Sequence, residues 1–238
     1  MKTLLLGATG GPLIGELIKR NRQVKALVRT PENIPVEFQT HPDLEVVPGS
    51  ISDLSVDEFA QHLEDCDSAV SCLGHNLSFK GMFGPPYRLV TDAVRKLTEA
   101  SLTLDRDDPL KLILMGSAGV SNRDLNEPVS AAQRCVIALL KALLPPHADN
   151  EAAADFLRTR AVNHPNQVGW AVVRPDNLIN ASEVTDYELH PSPIRSAIFD
   201  SGTTSRINVA AFMAELIHDE KLWNEWKGKM PVIYNTST

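Results

Sequence analysis

Cysteine is scarce in this chain. The 238 residues hold three, Cys66, Cys72 and Cys135, at spacings that suit neither a disulfide framework nor a zinc site. They read as reduced thiols of a cytosolic protein, and no metal is expected. Positive charge is short as well: 23 basic residues stand against 30 acidic ones, for a formal net charge of −7. With no basic run interleaved with aromatics, neither nucleic acid nor an anionic membrane is an expected partner. Long apolar runs are also missing. Residues 1–6 are too short for a secretory signal and run straight into glycines. Residues 136–144 are interrupted by Lys141 and closed by Pro145-Pro146, far below the roughly 20 residues that span a bilayer. That run reads as a buried or capping helix, with a membrane-touching or partner-binding helix as the alternative. Aromatics make up 5% of the chain, and tyrosine occurs only as Tyr87, Tyr187 and Tyr234.

What is present is a rhythm. Short β-rich runs at 3–6, 24–28, 44–47, 68–72, 111–115 and 170–173 alternate with helical patterns at 12–20, 56–63, 88–101 and 150–161. Such alternation argues for an α/β fold with a doubly wound parallel sheet covered on both faces. Several of the strand runs are continuously apolar, as burial of both faces requires. With no repeat and no low-complexity linker, residues 1–238 read as one domain with a small C-terminal lobe on the substrate side. Residues 180–204 are polar, rich in turn formers and contain Pro191 and Pro193; a helix at 207–217 and a late strand at 230–234 follow. In doubly wound sheets ligands lie beyond the carboxyl ends of the strands. The insertions at about 180–206 and 219–238 therefore either shape a substrate pocket or lie on the surface as loops.

The first strand leads directly into Gly7-Ala8-Thr9-Gly10-Gly11-Pro12, which opens a helix. Glycines are needed where a backbone turns sharply and its N–H groups must approach a pyrophosphate without a Cβ in the way. The helix start adds unpaired N–H groups and a positive dipole end, and proline suits its first position. Strand, loop and helix at this place point to a dinucleotide, with Gly7, Thr9, Gly10 and Gly11 at its phosphates. The second strand ends at Arg29-Thr30, with no acid until Glu32. An acidic residue here would grip the ribose hydroxyls of NAD, whereas arginine pairs with a 2′-phosphate. Arg29 and Thr30 thus favour NADP(H), unless Arg29 is only a solvated strand-end arginine.

With Gly7-Ala8-Thr9-Gly10 and Leu27-Val28-Arg29 in place, the chain resembles the atypical short-chain dehydrogenase/reductase family, the group of NmrA-like and NAD(P)H-binding Rossmann-type proteins. The resemblance continues through Gly49-Ser50-Ile51-Ser52-Asp53, Val70-Ser71-Cys72-Leu73-Gly74, Met115-Gly116-Ser117-Ala118-Gly119-Val120, Val173-Arg174-Pro175-Asp176-Asn177-Leu178 and Ser205-Arg206-Ile207-Asn208-Val209-Ala210. It implies that Asp53 lies in the adenine-side turn, that Leu73 and Gly74 border the ribose, and that Pro175, Asn177 and Leu178 lie on the nicotinamide side. The family's loop usually has a third glycine where this chain has Leu13, and the short segment before the second strand predicts a trimmed first helix.

Active members of that family carry a tyrosine and a lysine four residues apart, the lysine lowering the phenol's pKa for proton transfer. No tyrosine here has a lysine at that spacing. In the corresponding segment His147 and Glu151 stand four apart. They form either a general-acid couple or merely the start of a helix capped by Asp149 or Asn150. Ser117 is either a substrate-orienting hydroxyl or a turn residue, and His75 and Asn76 either face the pocket or sit idle in a loop. The resemblance implies an NADP(H)-dependent oxidoreductase that passes hydride to a small organic acceptor without the Tyr/Lys pair. A non-catalytic NADP(H)-sensing regulator is the alternative, and an epimerase or dehydratase ranks third.

Overall fold

The computed structural model describes residues 1–7, 11–75, 84–127, 136, 137, 139 and 143–236. Six parallel strands come first: β1 (Lys2–Leu6), β2 (Gln23–Val28), β3 (Leu44–Pro48), β4 (Ser68–Ser71), β5 (Leu110–Met115) and β6 (Val168–Pro175). Beyond them the chain adds β7 (Asn177–Ile179), β8 (Tyr187–His190), β9 (Thr203–Ser205) and β10 (Val232–Asn235). The large sheet runs β3-β2-β1-β4-β5-β6-β10-β8, with β10 parallel to β6 and β8 antiparallel at the edge; β7 and β9 form a separate parallel pair. The order reverses between β1 and β4. That is the switch point of a doubly wound sheet, where a crevice opens beyond the strand ends.

Why the strands are apolar throughout follows from the pleat, which sends successive side chains to opposite faces. Leu4 and Leu6 of β1, Leu112 and Leu114 of β5 and Val172 of β6 point to one core. There they meet α2 (Val56–Leu63), α3 (Leu89–Thr103) and α4 (Pro145–Thr159). Leu5, Ile113, Ala171 and Val173 point to the other, against α1 (Gly11–Lys19), α5 (Arg206–His218) and the tryptophans of α6 (Glu220–Trp226). Each fully buried leucine contributes about 1.5–3 kcal/mol by leaving water. The expected elements are therefore present, while β7, β8, β9 and α6 carried no clear pattern in the sequence.

Local chemistry sets the helix ends. Ser55 caps α2 in a reciprocal box: its Oγ accepts Glu58 N–H at 3.2 Å while Glu58 Oε2 accepts Ser55 N–H at 2.7 Å. Helix α1 is short, nine residues, as its sequence predicts. Helix α4 begins at Pro145, not at 150, because Pro145 and Pro146 occupy its first turn. Of the preceding run, read as a buried or capping helix, Leu139 and Leu143 are more than half exposed, so these two do not serve the core. That core is already filled by Ala153 and Leu157 of α4. Among the described residues no helix is long and apolar enough to cross a membrane, and no group of histidines, cysteines and acids could hold a metal.

Candidate functional site

The crevice at the switch point begins with Gly7, which follows β1 with φ of +99°, a left-handed conformation that side chains rarely adopt. A Cβ placed there would stand 3.0 Å from the carbonyl oxygen of Cys72, the residue after β4. Only glycine lets the β1 turn pass this close to its neighbour. Thr9 and Gly10 lie outside the described residues. Gly11 opens α1 and is buried, and no acidic residue stands in the first turn of that helix to repel an anion.

Two clefts flank this point, and Cys72 borders both. The first, about 180 Å³, is lined by Gly7, Arg29, Thr30, Asn33, the turn from Gly49 to Ser52, and Leu73 and Gly74. Arg29 and Thr30 are exposed at the end of β2, and the Arg29 guanidinium makes no hydrogen bond or ion pair with any described residue. Asp53 is exposed and stands outside the cleft wall, one residue beyond Ser52. The second cleft, about 120 Å³, is lined by Pro12, Leu13, Met115 and Leu178 with Arg206, Val209, Ala210 and Met213 of α5. Leu13 thus supplies an apolar wall where a glycine would leave space. Among the described residues neither cleft has a carboxylate on its wall, and each has one arginine. Burial pushes the Cys72 thiol up to about 12, so it is a wall and not a nucleophile.

A third cleft, about 260 Å³, lies past the ends of β5 and β6 and is lined by Ser117, Gly119, Ile137, His147, Pro175 and Asp176, among others. Ser117 and His147 come together here: a Cβ on Gly119 would lie 3.6 Å from Ser117 Oγ and 3.5 Å from His147 Cε1. Asn177 is exposed beside it. Glu151 is buried, and its Oε1 accepts Arg123 at 3.0 Å. Asp149 does not cap its own helix. Its buried carboxylate accepts Val90 N–H at 2.8 Å and Thr91 N–H at 3.0 Å, capping α3 from across the fold, and meets His75 Nε2 at 2.8 Å. A His–carboxylate couple therefore forms between His75 and Asp149, beside Gly74 of the first cleft. Asn76 lies outside the described residues.

Among the described residues no tyrosine or lysine lines any of the three clefts. Tyr87 is exposed, Tyr234 is buried in β10, and Tyr187 donates to Glu215 Oε2 at 2.8 Å. Sequence reasoning missed Asn33 and the α5 face. The turn from Gly49 to Ser52 lay in the segment it read as the adenine-side turn, where it singled out only Asp53; Arg206 stood in a segment quoted only as the start of a late helix, and nothing local signalled Asn33.

The groove matches a recognisable architecture. The chain fits the model of the NAD(P)H-binding family over residues 6–220. No curated protein matches it. Among solved structures it is similar to a short-chain dehydrogenase/reductase (wide type) from Veillonella parvula in complex with NADP, at 17% identity and TM-score 0.69, covering 100% of this chain and 95% of that one. It is also similar to a putative NADH-flavin reductase from Streptococcus pneumoniae, at 16% identity and TM-score 0.66, covering 99% and 100%. An anaerobillin reductase from Escherichia coli O157:H7 is similar at 16% identity and TM-score 0.67, covering 100% and 98%. At such identities the structures establish the fold, and the match over most of the chain establishes the kinship: this protein belongs to the NAD(P)H-binding family.

Proposed function

We propose that the protein is an NADP(H)-dependent reductase that passes hydride to a small conjugated organic acceptor. The observation that carries the cofactor choice is the first cleft's wall: among the described residues, an Arg29 guanidinium with no partner, the hydroxyls of Thr30, Ser50 and Ser52, and no carboxylate. NAD recognition relies on an acid that grips the ribose diol; a guanidinium and hydroxyls suit a 2′-phosphate. Arg206 at the start of α5 adds positive charge beside the second cleft. Leu13, Leu178 and Met213 make that part of the wall apolar.

When bound, the dinucleotide supplies the hydride. The chain's own groups do the rest. Ser117 and His147 border the third cleft, where a hydroxyl and an imidazole orient the acceptor. With neither tyrosine nor lysine among the described residues of any wall, an alkoxide would form without its usual proton donor. Acceptors that spread the incoming electrons, such as quinones, flavins or conjugated enones, need less help.

Titration of the protein with NADPH and NADH tests the cofactor choice. NADPH is expected to bind about tenfold more tightly, with Arg29→Asp narrowing or reversing the preference. Equal affinities in the unmodified protein would sink it. NADPH oxidation should appear with a quinone, flavin or enone before any simple ketone. It should fall modestly in Ser117→Ala, and His147→Ala should decide whether the imidazole takes part. Fast reduction of an unactivated ketone contradicts the reading, and no turnover with any acceptor moves it to a cofactor-sensing regulator.

A further inference from the structure

The cleft past β5 and β6 holds a charged group that the reaction above leaves unused. Asp176 joins β6 to β7, is part-buried, and lines the same cleft as Ser117 and His147. Its place is fixed from the neighbouring strands. Asp176 Oδ2 accepts Gly202 N–H at 2.8 Å, and its own N–H lies 3.4 Å from Thr204 Oγ1, which donates to the Ile233 carbonyl at 2.6 Å. Yet no lysine, arginine or histidine among the described residues forms an ion pair with it. The groups around it are His147 on α4, Tyr234 on β10, and Arg195 and Asp200 from the segment before β9. Of these, Arg195 is already held by both oxygens of Asp200, at 3.2 and 2.9 Å.

A carboxylate has about four acceptor positions. The N–H groups of Gly202 and Asn177 use two of them. Burial pushes the Asp176 pKa up, outweighing the pull of those two N–H groups and of the more distant Arg195 charge, which Asp200 holds. A part-buried carboxylate without a counter-ion is costly to keep, and in a cleft it marks a position whose partner arrives with the ligand.

We infer that Asp176 is the specificity-determining residue of the acceptor cleft, accepting a hydrogen bond from a ring N–H or O–H of the acceptor and turning away acceptors that bring a carboxylate. The inference rests on the reductase reading, since it takes this cleft to be where the acceptor sits. The remaining walls, Ala118, Ile137, Ala197 and Ile198, are apolar. They suit a neutral, unsaturated ring whose one polar edge meets Asp176, with Ser117 and His147 beside it.

Two neutral flavins test this, lumiflavin with a free imide N–H and 3-methyllumiflavin with that position capped. Each is titrated by quenching of its fluorescence against NADP⁺-saturated protein, so that no turnover is needed. The unmodified protein is expected to prefer lumiflavin by about tenfold, the worth of one hydrogen bond to a charged group. Asp176→Asn can keep an oxygen for Gly202 while offering a donor to the cleft, so the preference should vanish or reverse. Asp176→Ala should bind the two flavins equally, with NADPH affinity unchanged in both variants. Equal binding by the unmodified protein, no binding of either flavin, or a preference that survives both substitutions overturns the role given to Asp176. Protein that fails to bind NADPH in parallel titrations overturns the reductase reading itself, so the two failures are told apart.

Discussion

The clefts at the switch point, proposed above as the cofactor side, and the cleft past β5 and β6, proposed as the acceptor side, are built by different means. On the cofactor side most of the walls are residues at or just past the ends of β1, β2, β3 and β4, strands that lie side by side in the sheet, with Asn33, Pro86 and Leu89 added from outside. On the acceptor side Ser117, His147, Asp176 and Ala197 come from four segments far apart in the chain. One side chain ties much of that region together. Arg174, wholly buried, donates to the carbonyls of Met230 at 2.7 Å, Val120 at 2.8 Å and Pro191 at 3.1 Å, and pairs with Glu127 at 2.7 Å. On the proposed reading, strand ends supply most of a groove for a cofactor of fixed shape. A pocket for a variable acceptor is assembled from loops and needs a buried polar clamp.

The largest test of that contrast is the clamp. Arg174→Met should cost about 3–5 kcal/mol in chemical denaturation, because Glu127 is left as a buried, unpaired charge. Adding Glu127→Gln should recover part of the loss. A small effect of Arg174→Met would mean that the acceptor-side loops hold themselves. Next comes the cofactor side. Gly7→Val meets both the positive φ and the Cys72 carbonyl. It should weaken NADPH binding about a hundredfold, roughly 2.7 kcal/mol by titration, with circular dichroism little changed. Normal binding by this variant would break the assignment of the groove.

A smaller effect separates the two sides directly. Valine at Gly119 makes only ordinary contacts at its Cβ, but its methyl groups enter the space between Ser117 and His147. Acceptor KM should rise about tenfold while NADPH affinity stays, since the substitution fills a ligand pocket and not a packed core. If both constants move together, the clefts are not independent. The smallest change is Ser55→Ala, which removes the α2 cap. It should lower stability by about 1 kcal/mol and leave both ligand affinities alone.

The cofactor side was the more legible in the sequence because its signals are local. Gly7, Arg29, Thr30, Leu73 and Gly74 each stand at or just past the end of a strand that an apolar run announces, and all five border the first cleft. Asp53 was one position off because the turn after β3 gives no side-chain pattern to count from. On the acceptor side, Ser117 and His147 do border one cleft, whereas the pairing of Glu151 with Arg123 and the capping of α3 by Asp149 had no signature. Residues 149 and 90 are 59 apart, so only packing brings that carboxylate to those N–H groups.

Taken by itself, then, the sequence determined the alternation of strand and helix, the burial of both sheet faces and the glycine turn after β1. These follow from side-chain period and backbone freedom, which act within a few residues. The tertiary structure alone decided that β10 and β8 extend the sheet past β6, that Arg174 joins four segments, and that Asp176 faces a cleft with no ion pair among the described residues. Those outcomes depend on which buried polar groups find partners once the chain is compact, and such partners are set by distance in space and not along the chain.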